Sequence, residues 1–201
     1  MPKLNSTIFY LLWSEVFVGT GFGLIEPILA IYVHDQIPGG SVATVGISMF
    51  LFLLIKSLIQ LPLSLYTDKR KHHTFLLLLG AVFITFTPLL YIAAKSVLMV
   101  YLAQIFYGIG SGLSYPSWLG LWSTHLDKNR ESFQWTLYST LVGVSAALAA
   151  AIGGTLAEFV GFQTTFLLSG AFALLGSLFL LRLEIKTERG HRKNHDTGIE
   201  L

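Results

Sequence analysis

Phe17-Val18-Gly19-Thr20-Gly21-Phe22-Gly23-Leu24-Ile25-Glu26-Pro27 recurs 89 residues later as Phe106-Tyr107-Gly108-Ile109-Gly110-Ser111-Gly112-Leu113-Ser114-Tyr115-Pro116. Six of the eleven positions are identical, and the shared pattern F-x-G-x-G-x-G-L-x-x-P lies inside a long apolar run both times. A repeat placed within apolar spans is the sequence mark of a membrane protein built by duplication, an arrangement common among transporters.

The rest of the composition agrees. Hydrophobic residues make up 53% of the 201-residue chain and charged ones 12%, and mean hydropathy is +0.66. A soluble domain carries about 25% charged residues, so this is an integral membrane protein whose first partner is the lipid bilayer. Six apolar runs, near residues 7–34, 42–66, 74–93, 97–123, 132–158 and 163–182, reach the roughly 20 residues that a spanning helix needs. The first is too long for the core of a signal peptide and has no small-residue cleavage site after it. Continuous apolar runs also exclude an outer-membrane barrel, whose strands alternate. The predicted fold class is therefore all-α, with one six-helix domain over residues 1–182 and a polar tail over 183–201 that is expected to be disordered.

Basic residues set the orientation. With six spans, Lys3, Lys69, Arg70, Lys71, Lys128, Arg130, Arg182, Lys186, Arg189, Arg192 and Lys193 share a side with both termini, Lys95 lies opposite, and Lys56 falls within a span. Both termini are expected in the cytoplasm, with the protein in the cell membrane. The net charge of +2 follows from that topology and points to no nucleic-acid partner. There is no cysteine, hence no disulfide or thiol chemistry. Nothing in the spans suggests a metal site or a cofactor.

The repeat relates spans 1–3 (residues 7–93) to spans 4–6 (residues 97–182). Three is odd, so spans 1 and 4 cross the membrane in opposite directions and the units are inverted. Weaker matches continue the alignment: Asp68 with Glu158, and Thr74-Phe75-Leu76-Leu77 with Thr165-Phe166-Leu167-Leu168. Ser64-Leu65-Tyr66-Thr67-Asp68-Lys69, with basic residues after it, resembles the span 2–3 loop signature of the major facilitator superfamily. Gln104-x-x-x-Gly108-x-Gly110 is similar to that family's span 4 signature, and Ser145 to Gly153-Gly154 to its span 5 signature. The resemblance covers nearly the whole chain. It implies half of that fold, built as two inverted three-helix repeats, and a secondary transporter of small solutes. Gln104 stands where the family usually has arginine and Ala149-Ala150 where it has Gly-Pro, which argues against the usual proton route and an antiporter.

Since 201 residues amount to one half, alternating access requires a second one. A homodimer about an axis along the membrane normal would supply it, because one topology then serves both copies. The alternatives are that the chain is the N-terminal half of a longer 12-helix transporter, or a non-transporting scaffold or receptor.

Ionisable groups inside a bilayer are costly and mark function. Here they are Glu15, Glu26 and Lys56. Glu15 and Glu26 stand about three turns apart on one face of span 1, with Gly19 and Phe22 between, and Lys56 lies at a depth suited to an ion pair with Glu15. Gln60 shares a face with Lys56; Gln104, Ser111 and Tyr115 share one on span 4; Gln134, Tyr138 and Ser145 share one on span 5. The resemblance implies that spans 1, 2, 4 and 5 line the solute path, with a coupling proton or cation as a further partner. It also implies that Asp68, Lys69, Arg70 and Lys71 help gate the cytoplasmic mouth. Gly19, Gly23, Gly108, Gly112, Gly153 and Gly154 read as close-packing positions, with Pro27 and Pro116 as hinges. The glycines are no phosphate loop, which would follow a strand. Trp122 and Trp135 are expected as interfacial anchors.

An intramembrane serine hydrolase is excluded. Ser111, Ser114 and Ser117 lie about 12–21 Å along the helix from His125, too far for a nucleophile and its base.

Overall fold

The computed structural model describes residues 4–68 and 74–196, with side chains placed as far as residue 185. The described residues form α1 (Ser6–Ile25), α2 (Leu29–Gln36), α3 (Val42–Thr67), α4 (Thr74–Ala93), α5 (Val97–Thr124), α6 (Glu131–Phe159) and α7 (Phe162–Asp196). Six are long and apolar enough to cross a membrane: all but α2, with α7 qualifying over Phe162–Ile185.

Their boundaries have local causes. Asn5 caps α1, its side-chain oxygen accepting from the Thr7 N–H at 3.1 Å, and Ser41 and Thr44 form a reciprocal capping box at the start of α3. Gly161, at φ 93, closes α6 with its N–H on the Leu156 carbonyl at 3.2 Å. The expected first span is interrupted. Pro27 has no N–H to donate, and the chain turns through residues 26–28 before α2 resumes on the Ile28 carbonyl. Its counterpart Pro116 stays inside α5.

The last helix runs to Asp196, where the sequence suggests a disordered tail from residue 183. Propagating an existing helix costs far less than nucleating one, and no proline follows Pro116 to stop it.

Packing follows the repeat. α1 packs on α6 and α7, α5 packs on α3 and α4, and α4 meets α7. Exchanging spans 1–3 with 4–6 maps α1–α6 onto α5–α3, α1–α7 onto α5–α4, and α4–α7 onto itself. The exchange is imperfect in one place, since α6 also touches α7 without an α3–α4 contact of comparable extent. Asn5, at the start of α1, donates to the His125 carbonyl at the end of α5 (3.4 Å). The two helices are therefore antiparallel, as an inverted repeat requires.

The glycines carry the symmetry to the residue level. A Cβ on Gly23 would meet the Ala146 carbonyl of α6 at 3.0 Å, and one on Gly108 would meet the Phe52 carbonyl of α3 at 2.8 Å. The middle glycine of each triplet turns the other way. Gly21 would reach the Ser169 carbonyl of α7 at 2.7 Å, and Gly110 the Gly80 carbonyl of α4 at 2.9 Å. Phe17 stacks on Phe172 and Phe179 of α7, as Phe106 stacks on Phe83 of α4.

Two apolar clusters close the ends of this bundle. One gathers Ile25, Tyr32, Tyr91, Val100 and Phe166, pinned by the Tyr32 hydroxyl on the Tyr91 carbonyl at 2.6 Å. The other gathers Ile8, Leu11, Leu12, Trp118 and Trp122. Between them α3 and α6 stay open: only 11% of the apolar window of each is buried, against 50% in α1 and 39% in α5.

Candidate functional site

Polar and aromatic side chains from α1, α3 and α5 meet on the face between α3 and α6. At its centre Tyr107 stacks between Phe22 (4.3 Å between centroids, 5° between planes) and Phe52 (4.4 Å, 10°). This column joins the three helices. Tyr107 is absent from the residues proposed from sequence, although its spacing from Gln104 and Ser111 puts it on the same stripe of α5.

Lys56 lies one turn beyond Phe52. Its Nζ sits 4.8 Å from the centre of the Tyr115 ring and 5.9 Å from that of Phe52, so aromatic faces take the place of a carboxylate in holding the cation. The expected ion pair with Glu15 is not made: no N···O approach within 4.0 Å joins them.

Glu26 is exposed, at the break before Pro27. Gln104 is 4% exposed, and its Oε1 is buried without a hydrogen-bond partner, as is that of Gln60.

Two candidates prove to be otherwise engaged. Gln134 donates from Nε2 to the Asp127 carboxylate at 2.8 Å and accepts from the Asp127 N–H at 3.0 Å. Both ends of its amide hold the α5–α6 loop, where Asn129 takes φ 66. Tyr138 packs on Trp118, Trp122 and Trp135 at centroid distances of 5.0, 5.3 and 6.0 Å. The expectation that Trp122 anchors at the interface fails. It is 0% exposed, stacked on Trp118 at 5.1 Å and covered by the Ile8, Leu11 and Leu12 cluster.

Among the packing positions, Gly112 seats against Ile59 and the Lys56 carbonyl, Gly19 against Val142, and Gly153 against the Leu24 backbone, whereas Gly154 faces open space. Asp68 is exposed at the end of α3, its N–H bonded within the last turn. Lys69, Arg70 and Lys71 lie outside the described residues.

Known proteins are similar to the chain in sequence. The sequence profile of the Major Facilitator Superfamily matches residues 6–199. An uncharacterised MFS-type transporter of Methanocaldococcus jannaschii is 26% identical over 179 residues, 89% of this chain and 45% of that protein. The quinolone resistance protein NorA of Staphylococcus aureus is 21% identical over 180 residues, 90% of this chain and 45% of its own. The methylenomycin A resistance protein of Bacillus subtilis is 32% identical over 106 residues, half of this chain and 23% of its own. The chain thus spans about half the length of the first two relatives. With six membrane-spanning helices in two inverted repeats and a profile match along almost its whole length, the chain belongs to the Major Facilitator Superfamily.

Proposed function

We propose that this chain is one six-helix half of a secondary transporter, and that two copies assemble as a homodimer to move a small solute across the cell membrane by alternating access. The observation that carries the proposal is the uncovered α3–α6 face. The two least buried spans flank the side on which Glu15, Lys56, Gln60 and Tyr115 gather. A lipid-facing surface would not keep these groups. A second half closing over the face would enclose a polar path between two apolar walls.

Within that path Glu15 and Lys56 recognise solute charge or pass a coupling proton or cation, while Gln60 and Gln104 offer amides. Asp68, with Lys69, Arg70 and Lys71, serves the cytoplasmic gate, both termini being cytoplasmic. The second half need not be a copy. The length of the relatives supports a reading in which a different six-helix segment of a longer 12-helix transporter completes the path.

Reconstitution of the purified chain in vesicles, with single-molecule subunit counting and a screen of small solutes, tests the proposal. Two subunits per particle and solute flux that Lys56→Gln abolishes support it. A scaffold or receptor would keep its assembly and show no flux with either sequence.

A further inference from the structure

The last spanning turns of α7 carry a feature that the solute path does not use. A cavity of about 400 Å³ lies against them, with Leu175, Leu178, Phe179, Leu181, Arg182 and Ile185 as its described lining. Arg182 is exposed and is the one ionisable group among these six. Leu175, Leu178, Leu181 and Ile185 are between 42% and 46% exposed, so this side of the helix is turned away from the bundle. An apolar slot that ends at a guanidinium has the amphipathic character of a lipid: hydrocarbon along its length and a charge at the membrane edge.

Helix register extends that charge into a stripe. Successive helical residues turn by about 100°, and α7 stays helical as far as Asp196. Its buried side is marked by Ala173, Leu180 and Leu183, which fall about 100° to 180° round from Arg182. Lys186, Arg189 and Lys193, at spacings of four, three and four residues, fall within about 40° of Arg182 and so on the face opposite the bundle. Arg192 flanks them, and Asp196 ends the stripe. Glu184, Glu188, His191 and His195 fall about 180° to 240° round, on the other side. A segment of mixed composition is thus sorted by face. The number of basic residues alone sets topology, and sorting them onto one face adds nothing to that signal.

We propose that this face of α7 binds an anionic phospholipid, with acyl chain in the cavity and phosphate at Arg182, where the basic stripe begins. The spanning part of α7 ends at Ile185, which sets Arg182 at the edge of the hydrocarbon. A rise of about 1.5 Å per residue puts positions 186 and 189 about 6 and 10 Å farther out. The headgroup layer is about 5–7 Å deep on each side. The first two basic positions therefore lie within it, and the third lies within a Debye length of about 8 Å. Lys193, about 16 Å out, adds least. A guanidinium offers paired N–H donors to a phosphate, and a cluster of four basic residues just outside a span is attracted to anionic lipid. Binding of this kind requires neither a dimer nor flux, so it stands or falls separately from the transport proposal.

The chain has no cysteine, so a single introduced one can carry a bimane label. Leu174→Cys places it one turn before Leu178, beside the cavity, and Leu168→Cys places it toward the other end of the same helix; both leucines are exposed. The full labelled chain is reconstituted in phosphatidylcholine vesicles, where brominated phosphatidylglycerol or brominated phosphatidylcholine replaces a rising fraction of the lipid. Quenching then gives the relative affinity of the two lipids at each label. The expected result is a preference for phosphatidylglycerol of about fivefold or more at Leu174→Cys and none at Leu168→Cys. Arg182→Gln lowers the preference by about threefold or more. The paired exchange of Lys186→Glu with Glu188→Lys conserves net charge but puts a carboxylate on the stripe, and it should reduce the preference to about twofold or less. Equal quenching by the two lipids at Leu174→Cys, an equal preference at both labels, or a preference that survives the exchange would overturn the site. So would the absence of quenching by either lipid at Leu174→Cys, which a covering protein segment would produce.

Discussion

The two three-helix units share a skeleton and differ in what it carries. Each glycine triplet divides its close approaches in the same way: the outer glycines face the second span of the opposite unit, and the middle one faces the third. Except at Gly19, which meets only the tip of Val142, a side chain cannot enter these seams without moving its neighbours, so the duplicated positions are held by geometry. The aligned chemistry has no such constraint. Glu15 stands opposite Gln104 and Glu26 opposite Tyr115, and Pro27 interrupts its helix where Pro116 does not. The pairing teaches that Glu15 and Glu26 have no acidic counterpart in the second copy, which contributes Gln104, Tyr107 and Tyr115 beside the Phe22, Phe52 and Gln60 of the first.

This asymmetry can be broken by experiment. The largest effect is expected on transport. Neutralising either ionisable group within the spans of the first unit, by Glu15→Gln or Lys56→Gln, should lower solute flux by about 100-fold, around 2.7 kcal/mol, with the unfolding midpoint little changed. Flux in vesicles alongside thermal unfolding in detergent checks both halves of that statement.

Next come the middle glycines, where the units should respond equally. Gly21→Ala and Gly110→Ala each force a methyl within 2.7 Å of neighbouring atoms, and overpacking of this kind costs about 1–3 kcal/mol. Equal losses of stability in the two variants would support the shared seam; a large loss in only one would break it. The outer positions sharpen the contrast. Gly108→Ala meets a carbonyl at 2.8 Å, whereas Gly19→Ala meets only the tip of Val142 at 3.3 Å. The first should cost about 1–2 kcal/mol and the second under about 0.5 kcal/mol. Smallest is the neighbouring pair in α6. Gly154→Ala, facing open space, should stabilise by up to about 1 kcal/mol through helix propensity, while Gly153→Ala should destabilise against the Leu24 backbone.

What could be read from the chain beforehand follows from these forces. Span positions were legible because burying backbone in lipid demands long apolar helices. The inversion was legible because three spans separate the copies. The interruption at residues 26–28 was not, since Pro116 in the same motif is absorbed by its helix. Spacing placed Lys56 near Glu15 but could not show that the rings of Tyr115 and Phe52 would hold the ammonium instead. Gln134 looked like part of a polar stripe because periodicity ignores the loop before it, where Asp127 claims its amide. Trp122 looked interfacial for the same reason: the helix that covers it, α1, is more than 100 residues away in sequence.

The central claim is that the uncovered α3–α6 face is half of a solute path completed by a second copy. The most direct measurement is flux through vesicles containing mixtures of wild-type and Lys56→Gln chains, with subunits counted in the same preparation. A homodimer predicts two subunits per particle and a flux that falls faster than the fraction of wild-type chains, because one altered copy impairs the shared path. Single subunits, or flux strictly proportional to the wild-type fraction, would contradict it.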